Sequence, residues 1–372
     1  MSLTRLSPRS LSAYTSHLIE LTPEDRFLRF GKLMADEQIQ NYVDHINLNR
    51  DSVFVTLGNG ETIGALHCAA FNDAEGYPVV ELALSVSAGH RRTGIGRRLV
   101  SGALAFCRRE GITSALLLTS EGNRAARQFA RKLDLNEREA GDFSHPLLTP
   151  TAALRTTSTT EHGVEIMRAG ENGAHQTAWL IHGAGGDAWQ WRLNVMPRLV
   201  EAGFSVVSAS MHAASGLDKN DSACAVAHAQ FFLNTFAGTR PDIVVGHSLG
   251  CIAAAHVAHH TRPGLLALAN AMPADGMTDD DREHSVAALD CQRAAAILRR
   301  ASTYSPPPAT HGPLLVVSSA SDRVSPTTYA ERTTRHHRSS YSVHAKMLGG
   351  HLSIRRPDFA RAVQAAYAFA RL

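Results

Sequence analysis

The feature that most limits how this chain can fold is a short turn at residues 246–250, with the sequence Gly-His-Ser-Leu-Gly. The apolar run at residues 242–245 precedes it and predicts a short buried strand, and the Ala-rich stretch after it predicts a helix. A serine between glycines, where a strand passes into a helix, is typical of a nucleophile elbow. The serine backbone is strained there, and larger neighbours would clash. The turn therefore predicts an α/β arrangement with Ser248 as a nucleophile.

A second glycine-rich turn lies upstream, where the apolar run at residues 177–181 leads into His-Gly-Ala-Gly-Gly at 182–186. Backbone N–H groups in such a turn can face a pocket without interference from side chains, as stabilisation of an oxyanion requires. An ordinary strand-to-helix turn is the alternative interpretation. Together with the elbow, this turn makes the chain from about residue 160 to its end resemble the α/β-hydrolase family. The resemblance implies that the N–H groups of Ala184 and Leu249 form an oxyanion hole.

The resemblance also implies the order serine, acid, histidine along the chain. Asp322 directly follows a late apolar strand, and from there a carboxylate can hold the far nitrogen of an imidazole. Asp275, after an earlier strand, is the rival acid. Among the 20 histidines, His351 stands out because it follows a Gly-Gly turn after the last predicted strand. Ser248, Asp322 and His351 are therefore the predicted catalytic residues of this half.

The other histidines receive structural interpretations. His247, within the elbow, is expected to be packed or hydrogen-bonded away from the reacting centre. His256, His259 and His260 share one helix face, but a metal site also needs a further ligand and usually a neighbouring carboxylate. Because none is visible in the sequence, a solvated helix face is favoured and no metal is expected.

Composition describes a globular protein long enough for two domains. Hydrophobic residues make up 44% and charged residues 19%, and the net charge of +3 is too small to call for a nucleic-acid partner. Five scattered cysteines without a C-x-x-C pair argue against a disulfide framework. No apolar run approaches about 18 residues, and the N-terminus lacks a secretion signal. We therefore expect a cytoplasmic protein without a membrane partner.

The composition changes near residues 145–160, where a stretch rich in Thr, Ser and Pro lacks periodicity. Such a stretch predicts a linker. The expected organisation is a first domain at residues 1–150, a linker at 151–160 and a second domain at 161–372.

The first domain carries a different motif. A predicted strand at residues 78–86 is followed by Arg-Arg-Thr-Gly-Ile-Gly-Arg at 91–97 and by an amphipathic helix. A glycine-rich turn that opens a helix binds anions, because backbone N–H groups and the helix dipole face the same point. Arginines there can add charge-assisted hydrogen bonds to phosphate. A dinucleotide site would need a third glycine in phase, and a solvated Arg-rich helix start is the other alternative.

An R-x-x-G-x-G turn after a strand resembles the GNAT acetyltransferases, and the resemblance covers about residues 15–140. The N-x-x-A-x-x-F segment at 123–129 and the segment at 21–30 extend it. It implies that acetyl-CoA, or another acyl-CoA, is a co-substrate whose pyrophosphate lies against the turn. The cofactor-binding residues that it implies are Val86, Arg91, Arg92, Thr93, Gly94, Ile95, Gly96, Arg97 and Asn123.

The first domain departs from the GNAT pattern at the helix after Asn123. Many members carry a tyrosine there as general acid to the CoA thiolate, and Ala130 stands in its place. The usual Gly-Phe at the helix end is Asp134-Leu135. Cofactor binding can survive these changes, because it rests on backbone amides. Glu81, on the strand beside the acyl site, is the candidate catalytic base, and a solvent-facing strand residue is the alternative interpretation of it.

The fold expected from these observations is a GNAT acyl-CoA N-acyltransferase fold followed by an α/β-hydrolase fold with a short cap at about residues 271–312. The expected function is a bifunctional enzyme. It would join an acyl-CoA-dependent N-acetyltransferase to a serine hydrolase that forms an acyl-enzyme with a small ester, thioester or amide. One alternative is a serine hydrolase whose degenerate GNAT half binds CoA or a partner. The other is a non-catalytic binding or receptor protein on a hydrolase fold.

Overall fold

The computed structural model describes residues 3–119, 123–133, 135–139, 142–147, 154–161, 163–171, 174–210, 223–289, 295, 306–337, 339, 341–348 and 350–371. The chain divides into two compact units, residues 1–155 and 156–372. The first unit contains strands β1 Leu3–Arg5, β2 Ser52–Gly58, β3 Glu61–Asn72, β4 Pro78–Val86, β5 Ser114–Leu118, β6 Asn136–Glu139 and β7 Asp142–Pro146, and helices α1 Leu11–Ile19, α2 Pro23–Phe30, α3 Asp36–Asp44, α4 Ile95–Arg109 and α5 Arg124–Arg131. The second contains strands β8 Thr156–Glu161, β9 Val164–Ala169, β10 Gln176–Ile181, β11 Phe204–Ser210, β12 Ile243–His247, β13 Leu265–Ala269, β14 Leu314–Ser319 and β15 Ser342–Met347, and helices α6 Trp189–Arg192, α7 Val195–Glu201, α8 Ala223–Thr235, α9 Gly250–Thr261, α10 Asp279–Ala288, α11 Thr327–His336 and α12 Pro357–Ala370.

The first unit is built on a mixed sheet with the strand order β1-β2-β3-β4-β5-β7-β6. Neighbouring strands are antiparallel except β4 and β5, which are parallel. Helix α4 packs closely on β3, because a Cβ at Gly64 would come within 2.7 Å of the Ile95 side chain. A core cluster that includes Tyr14, Leu18 and Ile39 places α1 and α3 against β2 and β3.

Strands β4 and β5 are neighbours only over the first part of β4. Their register pairs residues 79–81 with residues 114–116, whereas β4 continues to Val86. In the described part of β5, no residue pairs with β4 beyond Glu81. The second half of β4 therefore presents an edge of backbone N–H and C=O groups, to which an extended chain could be added.

The second unit is built on a sheet with the order β15-β14-β13-β12-β10-β11-β9-β8. Strands β10 to β15 pair in parallel, and β9 joins β11 and β8 in antiparallel fashion. Strand β10 lies between β11 and β12, so the strand order changes direction there. In open α/β sheets, ligands bind at the carboxyl ends of the strands beside such a change. Both glycine-rich turns of this unit, after β10 and after β12, lie at that point.

The linker prediction is wrong for residues 156–160. These residues belong to β8, which pairs antiparallel with β9 from Thr156 opposite Ala169 to Glu161 opposite Val164. Strand β8 has the sequence Thr-Thr-Ser-Thr-Thr-Glu, and four of its six residues are exposed. It therefore lacks the alternation of apolar and polar residues by which a strand is predicted from sequence. Its β-branched threonines favour an extended backbone, and pairing with β9 completes the strand. Residues 151–153 of the predicted linker lie outside the described residues.

The predicted cap is described only in part. Helix α10 begins after Thr278, whose Oγ1 accepts a hydrogen bond of 3.1 Å from the Asp281 N–H. Most of the remaining helical segment predicted around residues 286–300 lies outside the described residues. Within the described ranges, no helix is both long and apolar enough to cross a bilayer.

Candidate active sites

The elbow forms as the sequence predicted, between β12 and α9. Ser248 has a φ of 54°, a left-handed backbone that is uncommon for a residue with a side chain. A Cβ at Gly246 would come within 2.7 Å of the Cα of Cys251, and one at Gly250 would overlap the carbonyl oxygen of His182. Both flanking positions therefore require glycine, and the turn holds the backbone of Ser248 fixed.

Three side chains from different loops form one hydrogen-bonded series. His351 Nε2 lies 2.9 Å from Ser248 Oγ, and His351 Nδ1 lies 3.0 Å from Asp322 Oδ2. Asp322 follows β14, and His351 lies in a short 3-10 segment after β15. Because a carboxylate only accepts, Nδ1–H donates to Asp322 and Nε2 is left to accept the serine proton. The structure thus brings together the three residues that the sequence singled out.

Asp322 is held as a buried anion. Its side chain is 0% exposed, and its Oδ1 accepts the backbone N–H groups of Val324 at 2.8 Å and Ser325 at 3.0 Å. Burial raises the pKa of this carboxyl. The hydrogen bond and charge of His351, with the bonds from Ser325 and Asn270, outweigh burial, and the pKa lies below its ordinary value. The carboxylate is therefore ionised at neutral pH.

Asn270 is a site residue that the sequence analysis missed. Its Nδ2 donates to Asp322 Oδ2, the oxygen that faces His351, and also to the Gly350 carbonyl at 3.0 Å. Its Oδ1 accepts from Ser353 Oγ at 2.7 Å. Asn270 directly follows β13 and has a φ of 51°, which asparagine tolerates better than most residues. In the sequence, the feature that could have indicated this role is the position of the asparagine at the carboxyl end of a buried strand.

His247 is buried, and it contacts the histidine of the series. Its Nε2–H donates to the His351 carbonyl at 2.7 Å, and the two ring centres lie 5.0 Å apart. Burial and the neighbouring His351 lower the pKa of His247 to about 3, so its ring is neutral above that pH. The hydrogen-bonded role agrees with expectation, whereas its direct bond to His351 was not anticipated.

The glycine-rich turn after β10 lies against the elbow. A Cβ at Gly183 would come within 2.8 Å of the Ser248 Cβ, so no other residue fits there. In the described part of the chain, the N–H groups of Ala184 and Leu249 donate to no acceptor. Ala184 follows Gly183 and Leu249 follows Ser248 along the chain, so these two N–H groups remain the candidate donors of an oxyanion hole.

The rival acid, Asp275, lies in a different environment. Its carboxylate pairs with Arg332, whose Nε is 2.9 Å from Oδ1, and its side chain is 45% exposed. His351 contacts Asp322 instead. Of the two candidate acids, only Asp322 lies within hydrogen-bonding distance of this histidine.

The glycine-rich turn of the first unit opens α4. Gly94 has a φ of 85° and precedes the helix, whose first turn closes with a bond of 3.1 Å from Arg98 N to Gly94 O. The amides of Ile95 and Gly96 come before this bond and lie at the positive end of the helix dipole. A Cβ at Gly96 would come within 3.3 Å of Leu84, so this glycine lets the helix approach β4. The turn is suited to a phosphate group.

The predicted cofactor arginines differ in their surroundings. Arg91 lies 2.5 Å from a carboxylate oxygen of Asp25, and its Nε donates to the Val86 carbonyl at 3.1 Å. Arg92 and Arg97 are exposed at the turn. Arg91 would therefore have to leave Asp25 to bind phosphate, whereas the other two arginines could bind it without such a change. The Thr93 hydroxyl donates to the His90 carbonyl at 2.6 Å and stabilises the turn.

The remaining predicted residues of the first unit lie on two elements. Asn123 caps α5, because its side chain accepts from the Ala126 N–H at 3.0 Å. Ala130, where the family pattern has a tyrosine, is fully buried. Glu81 is half-buried and stands at the point where β4 leaves β5. Asp134 lies outside the described residues.

No metal centre is formed by the described residues, in which no group of three or more His, Cys, Asp or Glu side chains could hold an ion. His260 Nδ1 donates instead to the His256 carbonyl, one turn earlier on α9, at 2.9 Å.

A family model matches part of the first unit. Residues 16–135 match the family model described as Acetyltransferase (GNAT) family, which confirms the predicted GNAT domain. No curated protein matches the sequence.

Similar solved structures fall into two groups. The GNAT domain of S. lividans PAT is 15% identical, with a TM-score of 0.34, and the match covers 39% of this chain and 89% of that one. MGS-MChE2, an alpha/beta hydrolase enzyme from a lagoon-sediment metagenome in Morocco, is 16% identical, with a TM-score of 0.44, covering 58% and 100%. A serine hydrolase involved in carbazole degradation, the CarC enzyme, is 19% identical, with a TM-score of 0.44, covering 58% and 100%.

Proposed function

We propose that the chain is a bifunctional enzyme, an acetyl-CoA-dependent N-acetyltransferase joined to a serine hydrolase of small carboxylic esters or thioesters. The observation that carries the hydrolase half is the series Ser248–His351–Asp322, with distances of 2.9 and 3.0 Å. The family match over residues 16–135 carries the transferase half.

In the proposed hydrolase reaction, His351 Nε2 takes the proton of Ser248 Oγ as that oxygen attacks the substrate carbonyl carbon. The negative charge that develops on the carbonyl oxygen is stabilised by the N–H groups of Ala184 and Leu249. His351 then gives its proton to the leaving oxygen or sulfur, which leaves an acyl-enzyme for water to hydrolyse by the same steps. Asp322 holds the imidazole in the required tautomer and stabilises its charged form. An amide could react in the same way.

In the proposed transferase reaction, an amine attacks the thioester carbonyl of acetyl-CoA, the new C–N bond replaces the C–S bond, and CoA leaves as its thiolate. The amides at the start of α4, with Arg92 and Arg97, would hold the pyrophosphate. The unpaired half of β4 would offer its backbone to the extended arm of the cofactor. Glu81, at the start of that half, would accept the proton of the amine.

A second candidate is a serine hydrolase whose GNAT unit binds CoA without transferring the acyl group. Two observations favour it. Ala130 offers no proton to the CoA thiolate, and Arg91 is already paired with Asp25. A non-catalytic receptor, the third alternative, would release no burst of product from an activated ester.

The hydrolase half is tested by Ser248→Ala. We expect this variant to lose labelling by a fluorophosphonate probe and to lose about 10⁴- to 10⁶-fold in turnover of an activated ester. Ser158→Ala, on the exposed strand β8, is the matched control and should keep both. Labelling of Ser248→Ala at the wild-type rate would falsify the assignment of the nucleophile.

The transferase half is tested by calorimetric titration of the full chain with acetyl-CoA, followed by assays of amine acetylation. Gly94→Val should abolish binding, because the branched side chain opposes a φ of 85° and blocks the approach of phosphate. Gly111→Val is the matched control, since Gly111 has a φ of 81°, has no atom near its Cβ position and lies at the other end of α4. Binding of acetyl-CoA without transfer to any amine would favour the second candidate, and wild-type chain that binds no acetyl-CoA would refute the transferase.

A further inference from the structure

A half-buried arginine in the first unit is fixed by two phenols. Arg29, on α2, donates from Nη2 to the hydroxyls of Tyr14 at 2.9 Å and Tyr42 at 3.0 Å. Its guanidinium carbon lies 4.7 Å from the ring centre of Phe30. The Tyr42 hydroxyl accepts from Arg29 and so directs its own proton to His67 Nδ1, at 2.6 Å. The guanidinium is therefore held in one orientation by neutral partners.

This arginine lacks a counter-ion. In the described residues, no carboxylate lies within ion-pair distance of Arg29. Arg29, Tyr14, Tyr42 and His67 form one cluster, and Asp51 is its buried carboxylate. Asp51 pairs with Arg50 at 2.9 Å and lies 3.5 Å from His67 Nε2. Burial raises the pKa of Tyr14, so its phenol does not supply the negative charge. Since a partly buried cation is costly without an anion, the cluster is one negative charge short.

The guanidinium also keeps free hydrogen-bonding capacity. Its Nε is buried and donates to no described atom. All hydrogen bonds of Arg29 in the described structure run from Nη2 to the two phenols. Nη2 uses both of its protons on the phenols and Nε is buried, so Nη1, which makes no hydrogen bond to a described atom, is the donor left for an anion such as a carboxylate.

Contacts place this arginine beside the proposed acyl site. Asp25, one turn before Arg29 on α2, pairs with Arg91, and Arg91 in turn bonds to the carbonyl of Val86 at the end of β4. His67 stands opposite Ala83 in the β3–β4 register, in the half of β4 that β5 leaves unpaired. The cluster thus lies next to the strand edge where the acyl group is expected.

We propose that Arg29 binds a carboxylate of the acyl acceptor, so that the transferase prefers amines that also carry a carboxylate, such as amino acids. This proposal rests on the proposed transferase function. The acceptor anion would complete the charge of the cluster and hold the amine beside the unpaired half of β4.

The test compares ligand pairs that differ only in charge. N-acetyl amino acids, as reaction products, and their primary amides are titrated into the full chain by calorimetry, with and without saturating CoA. We expect the acids to bind about 10- to 100-fold more tightly than the amides, as expected for a hydrogen bond to a charged group. The same factor should appear in kcat/KM when amino acids are compared with amino-acid amides as acceptors.

Variants then assign the preference to one side chain. Arg29→Gln should remove the preference for the acids, and Arg29→Lys should keep part of it, because the charge remains but the planar group held by the two phenols is lost. Lys32→Gln is the matched control, since it removes an exposed positive charge three residues away and should leave the preference intact. If Arg29→Gln proves unstable, Tyr42→Phe takes its place in the test. It keeps the charge of Arg29 but removes one of the two hydroxyls that hold the guanidinium, so the preference for the acids should weaken.

Equal binding of acids and amides by the wild-type chain would overturn the proposal, and so would a preference that survives in Arg29→Gln. These titrations measure binding rather than turnover. Failure of acetyl transfer with the acid preference intact would therefore count against the proposed activity and leave the carboxylate site standing.

Discussion

Replacement of Asn270 by glycine tests how much its side-chain amide contributes to catalysis by positioning Asp322. The φ of 51° at this position is readily adopted by glycine, so Asn270→Gly removes the side chain without adding backbone strain. Alanine at this position would add a conformational cost to the loss of the hydrogen bonds, and the two effects on activity could not be separated. The variant deletes the hydrogen bonds to Asp322 Oδ2 and to the Gly350 carbonyl, and it leaves Ser353 Oγ without its acceptor.

The size of the effect follows from what remains around Asp322. Its carboxylate keeps His351 and the backbone N–H groups of Val324 and Ser325, so it stays ionised, but its Oδ2 is held towards His351 less firmly. One hydrogen bond to a charged group contributes about 1.5 to 3 kcal/mol. If about half of that energy holds the carboxylate against the charged imidazole, kcat falls about 4- to 13-fold. Loss of the acid itself costs about 10⁴-fold in the serine-protease precedent.

The assay is steady-state hydrolysis of an activated ester by wild type, Asn270→Gly and Ser353→Ala. Ser353→Ala removes only the hydroxyl that holds the Asn270 Oδ1, so we expect a loss of about threefold or less. KM should change little in either variant, because neither side chain has been placed against the substrate. If folded Asn270→Gly turns over within twofold of wild type, Asn270 does not position Asp322 and the reasoning is refuted.

Two further predictions concern the acid and the buried histidine of the elbow. Asp322→Asn should reduce kcat by about 10⁴-fold, whereas Asp275→Asn should change it less than about threefold, because Asp275 pairs with Arg332; the opposite ranking in ester hydrolysis would move the acid to the earlier strand. The folded-state pKa of His247 lies near 3, against an ordinary value of 6.5, so the unfolded chain binds a proton between these pH values that the folded chain does not. This group should therefore reduce stability as pH falls from 6.5 towards 3, by up to about 1.4 kcal/mol per pH unit. His247→Gln should flatten that dependence in urea unfolding at several pH values, and identical slopes in both chains would contradict it.

Features that depend on a few neighbouring residues could be predicted from the sequence. The elbow at Ser248 and the turn at Gly94 combine glycines with a strand before and a helix after, and both require glycine for reasons of backbone conformation or close approach. Asp322 and His351 could be proposed because each lies a few residues after a late strand. Their meeting in space depends on the parallel order of β12 to β15, which brings the carboxyl ends of those strands to one edge.

Features that depend on contacts between distant segments were not readable. Asn270 belongs to no motif, and its role appears only when β13 lies between the strands that carry Ser248 and Asp322. The cluster around Arg29 joins residues from α1, α2, α3 and β3. Strand β8 has a polar, exposed sequence, and only its pairing with β9 distinguishes it from a linker. In each case the role of the segment depends on its contacts with residues distant in the sequence, which its own residues do not indicate.

The left-handed backbone at Ser248 also bears on how this chain would change under mutation. A side chain in that conformation costs about 1 kcal/mol or more, and glycine would relieve the cost at this position. Variants selected for stability alone would therefore tend to replace Ser248 with glycine and lose the hydroxyl. A screen that rewards thermal tolerance without an activity requirement should enrich this substitution, so the nucleophile can be retained only where selection also acts on what the hydroxyl does.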